Sequence, residues 1–202
     1  NRKGDNCDDY VLEGLQPHPN LQELYICNFM GDRFPQWFMT LSNLVELSLI
    51  DCNRSKELPA GLGQLPFLRK LEFIGLENIR CIGLSFYGNY DDFEGRGGGG
   101  RVQKSSTKLF RALKALTLKN MGNLDEWMEP DFDAFPVLEI LTIEDCSQLA
   151  TAPSHFPSLE VLKIVRNDHL LVVKKILSKV IALSSLTIIG KTGMAGLKCV
   201  SD

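Results

Sequence analysis

One spacing of apolar residues recurs along the chain. An aliphatic residue is followed, after two variable positions, by Leu and then, after one more, by another apolar residue. The pattern occurs seven times, at Leu21-Leu24-Ile26, Leu44-Leu47-Leu49, Leu68-Leu71-Phe73, Leu113-Leu116-Leu118, Leu138-Leu141-Ile143, Leu159-Leu162-Ile164 and Leu183-Leu186-Ile188. Because side chains alternate along a strand, the last two apolar residues face one side and the variable residues the other. The spacing predicts seven short strands with a common buried side.

The distances between these units predict how the strands are arranged. Five of the six steps between first leucines are 21 to 25 residues, within the roughly 20–29-residue period of leucine-rich repeats. One unit cannot bury its apolar side alone, whereas parallel stacking of units buries a continuous core. We therefore predict an α/β solenoid: a leucine-rich-repeat horseshoe with a concave parallel sheet of about seven or eight strands. Irregular or short-helical returns would form its convex side.

The step from Leu68 to Leu113 is 45 residues, about twice the others. It has room for a degenerate extra repeat or for a long insertion. Residues 88–108 contain four consecutive glycines and are typical of a flexible surface loop. A phosphate-binding loop would need a Gly-Lys-Ser/Thr ending that is missing there. Residues 1–202 are otherwise expected to form one repeat domain.

Two sets of residues recur in phase with the strands. Phe110, Phe135 and Phe156 precede successive strands, which predicts a stacked aromatic column in the convex layer; a ligand-binding aromatic box is the alternative. Cys52, Cys146 and Asn167 each follow the last apolar strand residue by three positions. Leucine-rich repeats carry Asn or Cys there, and we expect it to face inward and hydrogen-bond the next turn.

Composition and motifs exclude several functions. The net charge of −3 lacks the basic excess of nucleic-acid binders, and no apolar run approaches the roughly 20 residues that span a bilayer. The six cysteines form no CxxC pair, and no Ser-His or Cys-His arrangement is evident. We predict no enzyme activity, cofactor or metal site. Free buried thiols fit a reducing compartment.

The variable strand positions are the expected site of function, because a regular core with a varied face suits binding of a macromolecule. An ordinary solvated sheet face is the alternative for any one position. The candidate partner-binding residues are Tyr25, Glu46, Ser48, Lys70, Glu72, Thr117, Lys119, Thr142, Glu144, Lys163, Val165 and Arg166.

The sequence also resembles a known family. The stretches VLEGLQPHPNLQELYI, RFPQWF, LSNLVELSLIDC and FPVLEILTIEDCSQLATAP are similar to the leucine-rich-repeat region of plant coiled-coil nucleotide-binding disease-resistance proteins, and the similarity runs from about Val11 to Ile188. Trp37 and Trp127 match family positions and are expected to be structural. No effector-contact residue is carried over, because those positions vary within the family.

The resemblance implies a fragment of an intracellular receptor that acts in the cytoplasm, with the nucleus as an additional location. Such a module senses a pathogen- or pest-derived effector, directly or through a guarded host protein. It also contacts the nucleotide-binding module of the same receptor and helps to hold it inactive. We expect a monomer without nucleic-acid or membrane partners. A substrate-recognition scaffold of a ubiquitin-ligase adaptor is the alternative function.

Overall fold

Seven five-residue strands form one parallel sheet in the computed structural model, which describes residues 7–88 and 109–190. Their order in the sheet is their order in the chain. They are β1 (Glu23–Cys27), β2 (Glu46–Ile50), β3 (Lys70–Ile74), β5 (Ala115–Lys119), β7 (Ile140–Glu144), β8 (Val161–Val165) and β9 (Ser185–Ile189). Each coincides with one predicted unit, so the solenoid prediction is confirmed.

The long step between the third and fourth units adds no strand to this sheet. β3 pairs directly with β5, with Lys70 opposite Ala115. The extra length is therefore an insertion rather than an additional sheet-forming repeat. Of the predicted glycine-rich loop, residues 89–108 lie outside the described residues.

The inward strand positions form the core. Leu47, Leu49, Leu71 and Phe73 are fully buried, as the alternation predicts. Complete burial of such a side chain contributes about 1.5–3 kcal/mol to stability. In β9 the equivalent residues are 46% and 41% exposed, because β9 has a sheet neighbour on one side only among the described residues.

The returns between strands carry a second, smaller ladder and the aromatic column. β4 (Cys81–Ile82) pairs with β6 (Glu126–Trp127) in parallel. Ring centroids are 5.2 Å apart between Phe110 and Phe135, and 5.4 Å between Phe135 and Phe156. All three rings are at most 1% exposed, which confirms a packed column and excludes an open aromatic box at these residues.

Both tryptophans are structural, as expected. Trp127 is 1% exposed, and its Nε1 donates to the hydroxyl of Tyr87 over 2.8 Å. That hydroxyl donates in turn to the carbonyl of Met128 over 2.8 Å. Trp37 is 5% exposed and donates to the carbonyl of Leu12 over 3.0 Å. Each indole thus joins segments that are far apart in the sequence.

Short helices complete the described chain. The two α-helices are α1 (Cys7–Leu15) and α2 (Leu170–Leu177), and 3₁₀ helices span Gln36–Thr40, Leu62–Gln64 and Leu84–Phe86. Neither described α-helix, at nine and eight residues, is long enough to cross a membrane. The sequence pattern did not predict α1; Asp9 ties it to the first return by accepting the amide hydrogen of Asp32 over 2.8 Å.

The inward residues after the strands behave partly as expected. Cys52 and Cys146 are fully buried, and their thiols contact the carbonyls of Ile26 and Leu118 at 3.7 Å. These carbonyls belong to the preceding repeat, so the predicted bond to the next turn was wrong. The reason is that these carbonyls point along the stack toward the repeat that follows them. Asn167 also donates to the preceding repeat, at the carbonyl of Cys146, but its Oδ1 accepts from the amide of His169, so at this residue the predicted bond to the next turn is present.

Candidate functional site

The outward strand positions align in three rows across the sheet, because neighbouring strands are paired residue for residue. We call this surface the concave face. The first row is Glu23, Glu46, Lys70, Ala115, Ile140, Val161 and Ser185; the middle row is Tyr25, Ser48, Glu72, Thr117, Thr142, Lys163 and Thr187; the third row is Cys27, Ile50, Ile74, Lys119, Glu144, Val165 and Ile189.

One end of the concave face is acidic. We define the acidic zone as Glu23, Tyr25, Glu46, Lys70 and Glu72, on β1 to β3. Lys70 Nζ lies 3.2 Å from Glu72 and 4.0 Å from Glu46, and the hydrogen bond to Glu72 is the main reason why the pKa of Lys70 is raised. Tyr25 donates its hydroxyl to Glu46 over 3.2 Å. Three carboxylates and one ammonium leave this zone with a net charge of −2.

A second region of this surface, on β5, β7 and β8 and the residues that follow β7 and β8, carries a cluster of cations. We define the basic zone as Lys119, Glu144, Asp145, Lys163 and Arg166. Glu144 lies 3.4 Å from Lys119, 3.5 Å from Lys163 and 3.0 Å from Arg166, and its side chain is only 15% exposed. Burial tends to raise the pKa of Glu144, but the two lysines outweigh burial and the pKa is lowered. Three cations and two carboxylates give a net charge of +1.

An unusual backbone conformation fixes the edge of the basic zone. The residue after each of the first six sheet strands has a positive φ: Asn28, Asp51, Gly75, Asn120, Asp145 and Arg166. Its amide donates to the last residue of the next strand, over 2.6 to 2.9 Å. Asn, Asp and Gly tolerate this left-handed conformation, whereas for other residues it costs roughly 1–2 kcal/mol. The Arg166 guanidinium is held by Asp145 and Glu144.

An uncharged strip adjoins both zones. We define the apolar strip as Ala115, Thr117, Ile140, Thr142 and Val161, on β5, β7 and β8. Ile140 is 42% exposed and lies between Ala115 and Val161 in the first row. Large aliphatic side chains on a solvent-facing sheet position leave apolar area that a partner can bury. The concave face is therefore acidic on β1 to β3 and apolar in the first rows of β5, β7 and β8, and the basic zone lies beside the apolar strip, toward the carboxyl ends of these same three strands.

Comparison with known proteins identifies the family. A family model described as R13L1/DRL21 leucine-rich repeats matches residues 1–76. Disease resistance RPP13-like protein 1 of Arabidopsis thaliana is 33% identical over 162 residues, which cover 77% of this chain and 14% of that protein. Disease resistance protein RGA4 of Solanum bulbocastanum is 33% identical over 160 residues, which cover 76% and 14%. The chain belongs to the leucine-rich-repeat domains of plant disease-resistance proteins.

The matched regions cover only a small part of the relatives. Disease resistance protein RGA2 of Solanum bulbocastanum is 28% identical over 164 residues and is covered to 15% of its length. The repeat domain described here thus spans about one seventh of these curated relatives, which are 14% to 15% covered. No solved structure gives a significant match.

Nine of the twelve candidate residues lie on the concave face with exposed or partly exposed side chains, and Arg166, also partly exposed, lies at its edge directly after β8. The other two need correction, because Ser48 is 1% and Val165 is 2% exposed and neither offers surface to a partner. Ser48 lies beside Glu72, to which its hydroxyl donates over 2.8 Å. Val165 lies between Glu144 and Ile189 in the third row.

Three residues of the repeat domain were missing from the candidate set. Ile140 could have been found from the sequence, because strand alternation predicts that position 140 faces solvent and yet it holds a large aliphatic residue. Glu23 has the same outward phase as Glu46. Asp145 had no signal, because its role depends on the conformation of Arg166. Within residues 7–88 and 109–190, no group of three or more His, Cys, Asp or Glu side chains is placed to hold a metal ion.

Proposed function

We propose that this domain is the protein-recognition module of an intracellular plant immune receptor. It binds a pathogen- or pest-derived effector protein, or a host protein that such an effector modifies, through its concave and lateral surfaces. The observation that supports this proposal is the contrast between the two sides of the sheet. Inward positions remain Leu, Ile or Phe, while outward positions change charge and size from strand to strand.

Binding, rather than catalysis, fits the chemistry of the concave face. Its most buried carboxylate, Glu144, is held by three cations, which stabilise the ionised form, so Glu144 is not placed to donate a proton. The names of the relatives also favour resistance over the ubiquitin-ligase adaptor function.

A contact with the rest of the receptor is the second part of the proposal. The relatives are about seven times longer than their aligned region, so this domain would adjoin other modules. We place a nucleotide-binding module among its partners, and contact with it would help to hold the receptor inactive. The reduced state of Cys52 and Cys146 supports a cytoplasmic location.

A binding screen with matched variants tests the recognition function. The chain is immobilised and exposed to a panel of purified candidate effectors, with affinity measured by biolayer interferometry. Thr142→Arg places a large charged side chain at the centre of the concave face and should weaken binding of a true effector at least tenfold. Lys174→Glu, on the exposed side of α2, is the control and should leave it unchanged. Equal affinities for Thr142→Arg and the unchanged protein would contradict concave-face recognition.

A further inference from the structure

We propose that the concave face recognises a segment of its protein partner in which charged and apolar residues follow a fixed order. A basic side chain contacts the acidic zone, an apolar side chain contacts Ile140, and an acidic side chain contacts the basic zone, in that order along the segment. This inference rests on the proposed function and adds the chemistry of the partner to it.

The acidic zone supplies a site for one cation. Lys70 is shared by Glu46 and Glu72, and Glu23 takes part in none of the ion pairs among the described residues. Glu23 is exposed, and Tyr25, 52% exposed, presents an aromatic ring beside it. A lysine or arginine of the partner would find both uncompensated carboxylate charge and a ring face, and Arg in particular packs well on such rings.

The apolar strip supplies the centre of the contact. Ile140 is 42% exposed, and its row neighbours Ala115 and Val161 are partly exposed on either side. Thr117 and Thr142 flank them in the middle row. No charged side chain belongs to this strip, so a partner can bury apolar area there without desolvating an ion. Burial stabilises a complex by about 25 cal/mol per Å² of apolar surface.

The basic zone supplies a rigid site for one anion. Glu144 and Asp145 position the cations but leave a surplus of one positive charge. Arg166 holds a strained backbone conformation, with φ at +53°, in a row otherwise made of Asn, Asp and Gly. Such strain concentrates at functional sites, where it holds a group in place before the ligand arrives. A partner carboxylate therefore meets a guanidinium that has little freedom left to lose.

Strand spacing sets the order and separation of the partner's residues. Neighbouring strands are about 4.8 Å apart, so the cation site at Glu23 and Tyr25 on β1 is four spacings, ~19 Å, from Ile140 on β7, whereas Glu144 lies four residues, ~13 Å, further along β7. An extended segment that crosses the strands advances about 3.3 Å per residue. Its basic and apolar residues should therefore be about six positions apart, and its apolar and acidic residues about four.

Peptide selection tests this order even though the partner is unidentified. A phage-displayed library of random 12-residue peptides is selected on the immobilised full chain. Enriched sequences should carry Lys or Arg, an apolar residue and Asp or Glu at those separations, in either chain direction. For an enriched peptide, Glu23→Gln with Glu46→Gln should weaken binding about fivefold at low salt, which corresponds to about 1 kcal/mol. The same peptide with its basic residue replaced by Gln should not respond to these substitutions.

Two further variants separate failure of this inference from failure of the proposed function. Ile140→Asp should abolish peptide binding, while Ile181→Asp, at a residue 89% exposed and outside the three rows, should not. Peptides that bind Ile140→Asp normally would overturn the ordered segment, whereas the proposed function fails only if no effector in the screen binds or if Thr142→Arg binds as tightly as the unchanged protein. Peptides that need Ile140 but show no charge order, and ignore the glutamate substitutions, would overturn only the ordered segment.

Discussion

Arg166 shows how backbone and side-chain demands compete at one residue. Its repeat position requires a left-handed conformation, because the amide must reach the carbonyl of Ile189 in the next strand. Gly75 meets this demand without strain in the equivalent place. Arg166 instead gains ion pairs with Asp145 and Glu144, which contribute little to stability where the side chains are exposed to solvent.

Substitution of Arg166 should separate the two effects. Arg166→Gly removes both the strain and the ion pairs, so its free energy of unfolding should stay close to that of the unchanged protein. Arg166→Ala loses the ion pairs and keeps the strain, and should be about 1 kcal/mol less stable than Arg166→Gly. Urea unfolding followed by circular dichroism measures the difference.

Lys174 provides a control position at which the Ala variant, rather than the Gly variant, should be the more stable. It is exposed in the helix α2, where Gly is about 0.5–1 kcal/mol less favourable than Ala. Lys174→Gly should therefore be less stable than Lys174→Ala. If Gly were also the less stable residue at position 166, the backbone strain assigned to Arg166 would be refuted.

Single-residue burial was only partly predictable from the sequence. Alternation assigns Leu47 and Leu49 inward and Ser48 outward, and it is correct about direction. It does not predict that Ser48 is buried, because burial there depends on Glu72 from the neighbouring strand. The contribution of each outward residue to the site thus depends on side chains about 24 positions away, which local pattern cannot weigh.

At the scale of elements, the returns are joined by a carboxylate. Glu129 follows β6, and its Oε1 accepts hydrogen bonds from the amide and hydroxyl of Ser154 over 2.8 Å and 2.6 Å. Its Oε2 lies 3.0 Å from Lys175 on α2. Burial tends to raise the pKa of Glu129, but the bonds from Ser154 and Lys175 outweigh burial and lower it to about 2. Glu129 therefore connects two successive returns and α2 most strongly while it is ionised.

Acid should weaken this connection. Since the pKa of Glu129 is about 2 in the folded chain and 4.5 ordinarily, its contribution is complete above pH 4.5 and is lost as the pH falls toward 2. Over that window the unchanged protein should lose about 1 kcal/mol more stability than Glu129→Gln, a value reduced because the side chain is 35% exposed. Urea unfolding at pH 6, 4 and 3 gives the slopes. Glu160→Gln, at an exposed carboxylate, should lose stability with falling pH as steeply as the unchanged protein. If Glu129→Gln lost stability equally steeply, Glu129 would not be the group that weakens the connection in acid.

Strands were predictable and helices were not, for a physical reason. Each strand has the inward spacing of two that fills the common core. In α1, by contrast, Leu12 is buried while Tyr10, Val11 and Leu15 are 58% to 65% exposed, so no apolar stripe of helical period marks it. Tertiary contacts to Trp37 and Asp32 position α1 instead.

At the scale of the whole molecule, the solenoid is a stack in which each strand contacts only its neighbours in sequence. A given inward position therefore has the same chemistry in every repeat but a different degree of cover. Leu141 in β7 lies between Leu116 and Leu162 and has 0% of its surface in solvent. Leu186 occupies the same motif position in β9 and is 46% exposed. Comparison of Leu141 with Leu186 therefore isolates the effect of having a packed strand on both sides.

Introduction of a charge at these two positions should have very different consequences. Leu141→Asp buries a carboxylate without a partner in the middle of the stack, which costs several kcal/mol, a large part of the roughly 5–15 kcal/mol that stabilises a typical domain. Far-UV circular dichroism should show loss of the cooperative melting transition. Leu186→Asp leaves its carboxylate in contact with water and should lower stability by about 1 kcal/mol. Equal losses at both positions would mean that an inward side chain of β9 is as covered as one of β7, and that the stack continues past β9 in solution.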